Sequence, residues 1–328
     1  MSITYPWQVQ QWERLRLAAR QDRLPHALLL SGIAGSGIRQ FALAFARCLL
    51  CATPTPTGLA CGQCRSCLLD QAGNHPDIRL LEPEADSAQI KVEAVRDLIT
   101  YLQLSSQYDG RKIAIIEPAE GLNRHAANSL LKTLEEPASP ALLILISCQP
   151  ARLLVTLRSR CQGVNFTDID RQQALNWLHG QLAEPARAEE LLELAGGAPL
   201  TALELAGTDA LEQWEELLQD LQQAAHPHTY PAEIAEKWVK QDAAELLIRL
   251  LRLFNKMAVL HATGATQPGA QSGLNGKLYR MTTELRLSML LDCHALTLQN
   301  YQLLSAGSNL NKQSLLEQII VYWQSIHR

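Results

Sequence analysis

Two segments constrain the fold of this chain more than any other: Ile113–Ile116 and Leu142–Ile146 are apolar at every position. A strand with one wet face alternates apolar and polar residues. Runs without alternation therefore predict strands covered on both faces, as in a parallel sheet. Ala27–Leu30, Ile78–Leu81 and Gly163–Phe166 are three further β-type runs. Helical patterns over Ile38–Leu50, Val92–Leu102 and Arg124–Leu134 separate them. Such alternation predicts an α/β layer fold with right-handed crossovers.

Strand signals cease at about Thr167. Arg171–Leu182, Ala186–Leu194 and Pro199–Ala206 read as short helices around a Gly196-Gly197 stop. Beyond Asp209 the pattern is amphipathic helix: Leu211–Ala225, Pro231–Lys240, Ala243–Ala262, Leu278–Tyr301 and Asn311–His327. Thr263–Gly276, rich in Gly, reads as a loop. The expected organisation is an α/β domain over 1–166, a small helical domain over 167–208 and a helical bundle over 209–328.

Composition excludes several classes. With 47% hydrophobic and only 19% charged residues the chain can bury cores and is not a disordered polymer. No apolar run reaches the ~18 residues of a membrane span, and Met1–Trp7 lacks a signal-peptide pattern. A soluble, cytoplasmic protein without a membrane partner is expected. Residues 1–166 carry 17 Lys and Arg against 14 Asp and Glu, net +3, whereas residues 167–328 carry 12 against 19, net −7. That split suits two differently occupied surfaces. It falls short of the strongly basic footprint, pI above ~9, of a nucleic-acid-binding domain.

Ser31–Arg39 follows a strand and opens a helix, and Gly32 and Gly37 have the G-x-x-x-x-G spacing of a phosphate loop, with Gly35 between them. Working loops continue with Lys, which reaches the β/γ-phosphates, and Ser or Thr, which holds Mg²⁺. Ile38 and Arg39 stand there instead. The loop backbone retains the capacity for an anion nest, so weak ATP binding stays open, but hydrolysis is not expected. The strand Ile113–Ile116 continues Glu117-Pro118, putting a proline where an acidic base would polarise water. The compatible loss of both halves favours a degenerate ATPase over a chance glycine turn.

Cys51, Cys61, Cys64 and Cys67 form C-x9-C-x2-C-x2-C. Four thiolates at this spacing suit tetrahedral zinc, and with no open position the metal would be structural. Tetrahedral sulfur also admits an iron–sulfur centre. Cys48, Cys148, Cys161 and Cys293 read as single buried thiols, and His26, His75 and His125 as buried histidines. Arg158 and Arg160, in Leu157-Arg158-Ser159-Arg160-Cys161, are ordinary surface charges unless the chain sits beside a working ATPase. Then one of them could stabilise a neighbour's transferring phosphoryl group.

The degenerate loop Gly32–Arg39, the Cys51–Cys67 module, the string Asn128–Pro137 (N-S-L-L-K-T-L-E-E-P) and Ser159-Arg160-Cys161 together resemble the bacterial DNA polymerase III clamp-loader family. The resemblance covers the chain in domain layout, but its specific motifs all lie within residues 1–166. It implies an AAA+ domain with an inserted zinc module at 51–67, a helical lid and a collar joining subunits into a hetero-pentamer. The absent Lys and acidic base imply a non-hydrolysing stator rather than a motor subunit. In that reading Arg160 is a trans arginine finger, with Arg158 in support. The implied partners are the gamma/tau motor subunits and the delta subunit, with the sliding clamp and primed DNA reached through the assembly. Active members carry a phosphate-sensing arginine in the lid, where this chain has Leu200. Two other readings compete: an independent AAA+ NTPase using Arg39 on phosphate, and a zinc-ribbon nucleic-acid binder, which few nearby cations support.

Overall fold

In a computed structural model the described residues are 5–84, 87, 89–108, 110–137, 140–264, 273–305 and 311–327. They form, in order, α1 (Val9–Arg20), β1 (Ala27–Gly32), α2 (Ile38–Leu50), α3 (Arg65–Gln71), β2 (Ile78–Leu81) and α4 (Val92–Gln103). Then come β3 (Lys112–Ile116), α5 (Arg124–Glu135), β4 (Ala141–Ser147), α6 (Val155–Arg158), β5 (Gln162–Phe166) and α7 (Arg171–His179). The remainder is helical: α8 (Ala188–Leu194), α9 (Pro199–Ala206), α10 (Ala210–Ala224), α11 (Pro231–Val239), α12 (Ala243–Thr263), α13 (Gly273–Thr282), α14 (Leu287–Ser305) and α15 (Lys312–Ser325).

The five strands make one sheet in the order β2-β3-β4-β1-β5, every pair parallel. This is the α/β layer anticipated above. Side-chain alternation along strands that are apolar throughout builds two cores. Leu28, Leu30, Ile113, Ile115, Leu142, Ile144 and Ile146 face Trp12 of α1 and Phe41 and Phe45 of α2. The intervening Ala27, Leu29, Ala114, Ile116, Leu143 and Leu145 face Val95 and Leu98 of α4 and Leu130 and Leu134 of α5. The carboxyl ends of the strands therefore lie along one edge, and β1 ends there at the glycine-rich turn.

Several boundaries differ from the sequence reading. The N-terminal helix α1 was not anticipated. The pattern Leu278–Tyr301 is two helices, α13 and α14, broken at Thr283–Arg286, where Leu285 N donates to Thr282 O. Amphipathicity continues across such a break, so periodicity alone does not reveal it. The loop expected over Thr263–Gly276 is shortened at both ends by α12 and α13; residues 265–272 lie outside the described set.

The chain divides into two compact units, one of Met1–Ala188 with Ala195–Leu203, the other of Glu189–Leu194 with Glu204–Arg328. The residues read as a small helical domain are thus shared between them. The second unit is tied by buried polar anchors. Asp220 accepts from Trp238 Nε1 at 2.8 Å and pairs with Lys237 Nζ at 2.8 Å, and Trp323 Nε1 donates to Leu221 O at 2.9 Å. Asp242 caps α12 by accepting from the Ala244 and Glu245 amides. No helix among the described residues is long and apolar enough to cross a membrane.

Candidate functional site

The phosphate-type loop lies in the expected place, between β1 and α2, with Gly35 at φ 77° and Gly37 at φ 83°. Positive φ explains glycine at both positions. Close approach explains it a second time. A Cβ on Gly35 would lie 2.1 Å from Thr201 Oγ1, and one on Gly37 would lie 2.4 Å from the Tyr5 ring. A Cβ on Gly32 would meet Phe166 at 2.9 Å. The loop is thus covered from both sides by its own chain.

Hydrogen bonds hold that cover in place. Trp7 Nε1 and Gln8 Nε2 both donate to Ser36 O at 2.9 Å, and Leu200 N donates to Gly35 O at 3.0 Å. Leu200 thus contributes a backbone amide to the loop. Tyr5 stacks on Trp7 with centroids 5.0 Å apart, and Trp177 meets both rings edge-on. Ile38, where a working loop has its Lys, is buried in the core with Phe41. The next residue, Arg39, turns to the acids at the strand ends: it bonds Glu82, and reaches Glu117 Oε2 at 2.8 Å. Burial pushes the Glu117 carboxyl above its ordinary range against the pull of Arg39, while the Arg39 hydrogen bond holds Glu82 below it. A guanidinium thus occupies the acids that a metal would need. Ser147 is buried at the end of β4, its Oγ accepting from Gln149 N at 3.1 Å.

The four cysteines converge. Cys51 follows α2, Cys61 lies in the loop, and Cys64 and Cys67 sit at the start of α3. All four Sγ atoms lie within 4.8 Å of one another, with contacts of 3.9, 3.9 and 3.5 Å for 51–64, 61–67 and 64–67. A tetrahedron with ~2.3 Å metal–sulfur arms has edges of about 3.8 Å. The set therefore fits one thiophilic metal ion. Amides already point at the sulfurs: Cys61 N donates to Cys51 Sγ at 3.2 Å, and Cys64 N to Cys61 Sγ at 3.3 Å. The Thr53 hydroxyl together with the Gln63 and Cys64 amides brings the Cys61 thiol down to about 5.

Behind the module, His75 is buried and its Nε2 lies 2.7 Å from Ser66 Oγ of α3. This is not a nucleophile–base pair. Asp77 N donates to His75 Nδ1 at 3.1 Å, so the ring proton sits on Nε2 and is donated to the serine. Burial also holds His75 below its ordinary value. The contact fastens α3 to the segment leading into β2. Fully buried Asp77 in turn pairs with Lys112 Nζ at 2.9 Å, accepts from Ser106 Oγ at 2.9 Å and from Gln107 N. Burial raises the Asp77 carboxyl, but Lys112, Ser106 and Gln107 together outweigh it and leave it below the ordinary value. A depressed carboxyl adds stability above the unfolded-state pKa of ~3.9, and that stability is lost as pH falls through the folded value. Asp77→Ala strands the buried Lys112 and is expected to cost about 3–5 kcal/mol in chemical denaturation of the full chain.

Arg158 closes α6 and Arg160 follows it. Arg158 is partly buried. Arg160, 35% exposed, spans two acceptors: Nη1 donates to Thr156 O at 3.0 Å and Nη2 meets Glu135 Oε1 at 2.5 Å. Glu135 belongs to the string Asn128–Pro137, so two motifs that looked separate in sequence touch in space. Neither that contact nor the cover from Tyr5, Trp7, Gln8 and Thr201 left a signal in the sequence, because each joins residues far apart in the chain. The single-residue readings need correction at five places. Cys148 and His125 are exposed, and Cys48, Cys161 and His26 are only part-buried. Of those four thiols only Cys293 is buried.

The family model described as "DNA polymerase III, delta subunit" matches residues 7–170, half of the chain. DNA polymerase III subunit delta' of Pseudomonas aeruginosa is 43% identical over 73% of this chain and 72% of its own length. The Escherichia coli subunit of the same name is 37% identical over 66% of this chain and 65% of its own. The subunit tau/gamma of Haemophilus influenzae is 35% identical over 55% of this chain but only 26% of its own length. A covered loop, a sulfur tetrahedron and a half-exposed arginine thus occur together in a chain that belongs to the DNA polymerase III delta' family.

Proposed function

We propose that this chain is the non-hydrolysing stator of a DNA polymerase III clamp loader, helping to place the sliding clamp on primed DNA. In this role Arg160 enters the ATP site of an adjoining gamma/tau motor subunit, with Arg158 in support, and the chain's own loop stays without nucleotide. The observation that carries the reading is an asymmetry. The loop Gly32–Arg39 has lost Lys and hydroxyl and is filled by Trp7, Gln8, Leu200 and Thr201, while Arg160 keeps a solvent-facing guanidinium. Unselected decay of a nucleotide site would not spare the one cation that acts on another subunit.

Cys51, Cys61, Cys64 and Cys67 hold a structural zinc in this reading. Residues 209–328 are the collar in this reading, and all of them fall in the second unit. Leu287, Leu291 and Leu298 lie on one face of α14 and are exposed. Apolar faces of this kind suit permanent subunit contacts with the motor and delta subunits of a hetero-pentamer.

Mixing the purified chain with motor subunits and weighing the product by native mass spectrometry tests the assembly. A defined hetero-oligomer with DNA-stimulated ATPase supports the proposal, and a chain that stays alone overturns it. The alternative of an independent NTPase is tested on the chain alone. No hydrolysis above a buffer blank is expected, and no saturable ATP binding at up to millimolar ATP by calorimetry. Turnover abolished by Gly37→Pro would favour the alternative.

A further inference from the structure

We propose that Glu135 is a positioning residue for Arg160, fixing the guanidinium in the attitude it presents to the neighbouring site; this rests on the trans-arginine reading above. Arginine carries a long side chain with many rotamers, and an exposed one is ordinarily spread among them. Arg160 is instead held at two points of its fork, by Thr156 O on Nη1 and by Glu135 Oε1 on Nη2. A guanidinium has five N–H donors. Two are used here, which leaves the others for phosphate oxygens in a plane set by the two anchors.

The anchors are themselves fixed. Thr156 lies in α6, one turn before Arg160. Glu135 is the last residue of α5, whose Leu130 and Leu134 are buried in the core under the sheet. Leu134 O also accepts from His26 Nε2 at 3.0 Å, pinning the end of that helix.

The placement of Glu135 argues for a partner. A carboxylate at a helix C-terminus faces the negative end of the dipole and is locally unfavourable, whereas a cation there is favoured. Arg160 supplies that cation, and its charge is drawn to the same helix end. The pair is half-exposed, with 35% of the arginine and 53% of the glutamate side chain open, so solvent screening leaves it little intrinsic stability. What such a contact supplies is direction rather than stability. Preorganised cations act on a transition state because they need not reorient when charge develops.

The test uses the complex reconstituted with motor subunits and reads single-turnover ATP hydrolysis, taking kcat and KM as the rate constant and ATP dependence of the phase that belongs to the motor site facing this chain, with Arg160→Ala in parallel. Glu135→Ala is expected to lower kcat by about 10- to 10²-fold, the scale of a ~1 Å misplacement, with KM little changed. Glu135→Gln, which keeps the acceptor oxygen, is expected to restore most of it. The double variant Glu135→Ala/Arg160→Ala should be no slower than Arg160→Ala alone, since both act through one group. Glu136→Ala removes the same charge from a residue not paired with Arg160 and should leave kcat unchanged. Wild-type kcat in Glu135→Ala beside a slow Arg160→Ala overturns the positioning role alone. A faster Glu135→Ala also overturns it, since the carboxylate would then be a restraint. Wild-type kcat in Arg160→Ala overturns the underlying reading instead. If Glu135→Ala fails to assemble, Glu135→Asp, which shortens the reach, carries the same expected kcat loss, and wild-type kcat there overturns the role.

Discussion

Arg160→Ala is expected to slow ATP hydrolysis at the motor site facing this chain by about 10³-fold or more, the scale of a trans arginine on a transferring phosphoryl group. The effect belongs to one site. A loader with several motor subunits keeps the others, so the steady-state rate alone understates the loss unless the sites fire in obligatory order. Single-turnover hydrolysis separates these cases. A slow phase should appear with the amplitude of one site, absent from the wild-type complex. Folding should be untouched, because among the described residues the polar partners of the Arg160 side chain are Thr156 O and the half-exposed Glu135. Arg160→Lys keeps the charge but not the planar fork and should recover only a small part. Single-turnover traces identical to wild type in Arg160→Ala would sink the stator reading at its central point.

Legibility in the sequence followed the range of the interactions. Apolar runs and helical periods are local, so all five strands of a parallel sheet, and the coverage of Ile113–Ile116 and Leu142–Ile146 on both faces, could be read before the structure. The four cysteines were legible because metal ligation sets their spacing. Losses were legible too: Ile38, Arg39 and Pro118 each stand where chemistry requires another residue. The sequence was silent on what replaced the lost function. Tyr5, Trp7 and Gln8 reach the loop from some 30 residues away, and Leu200 and Thr201 from over 160. Arg39 turning to Glu82 and Glu117 is likewise a tertiary choice. Missing chemistry can be seen in one segment, whereas filled space needs the fold.

Removing the metal is expected to disorder the segment 51–67 while leaving the sheet intact. Four sulfurs with contacts of 3.5–3.9 Å make a site that only a cation can reconcile with thiolate charge. Structural zinc contributes apparent binding energies of about 10–16 kcal/mol in isolated finger peptides. Here the cost has a lower ceiling, because the module can open locally without unfolding the two cores that flank the sheet. Its far end is fastened independently through Ser66–His75 and the buried Asp77–Lys112 pair. Cys64→Ser should therefore lose the metal and raise amide exchange across residues 51–67 by orders of magnitude. Exchange in Ile113–Ile116 and Leu142–Ile146 should stay near wild type. Native mass should show one zinc per chain, released by strong chelators or thiol-modifying mercurials. A chain purified with visible thiolate-to-iron absorbance would exclude zinc. A metal-free chain whose exchange over 51–67 matches the loaded one would remove the structural role altogether.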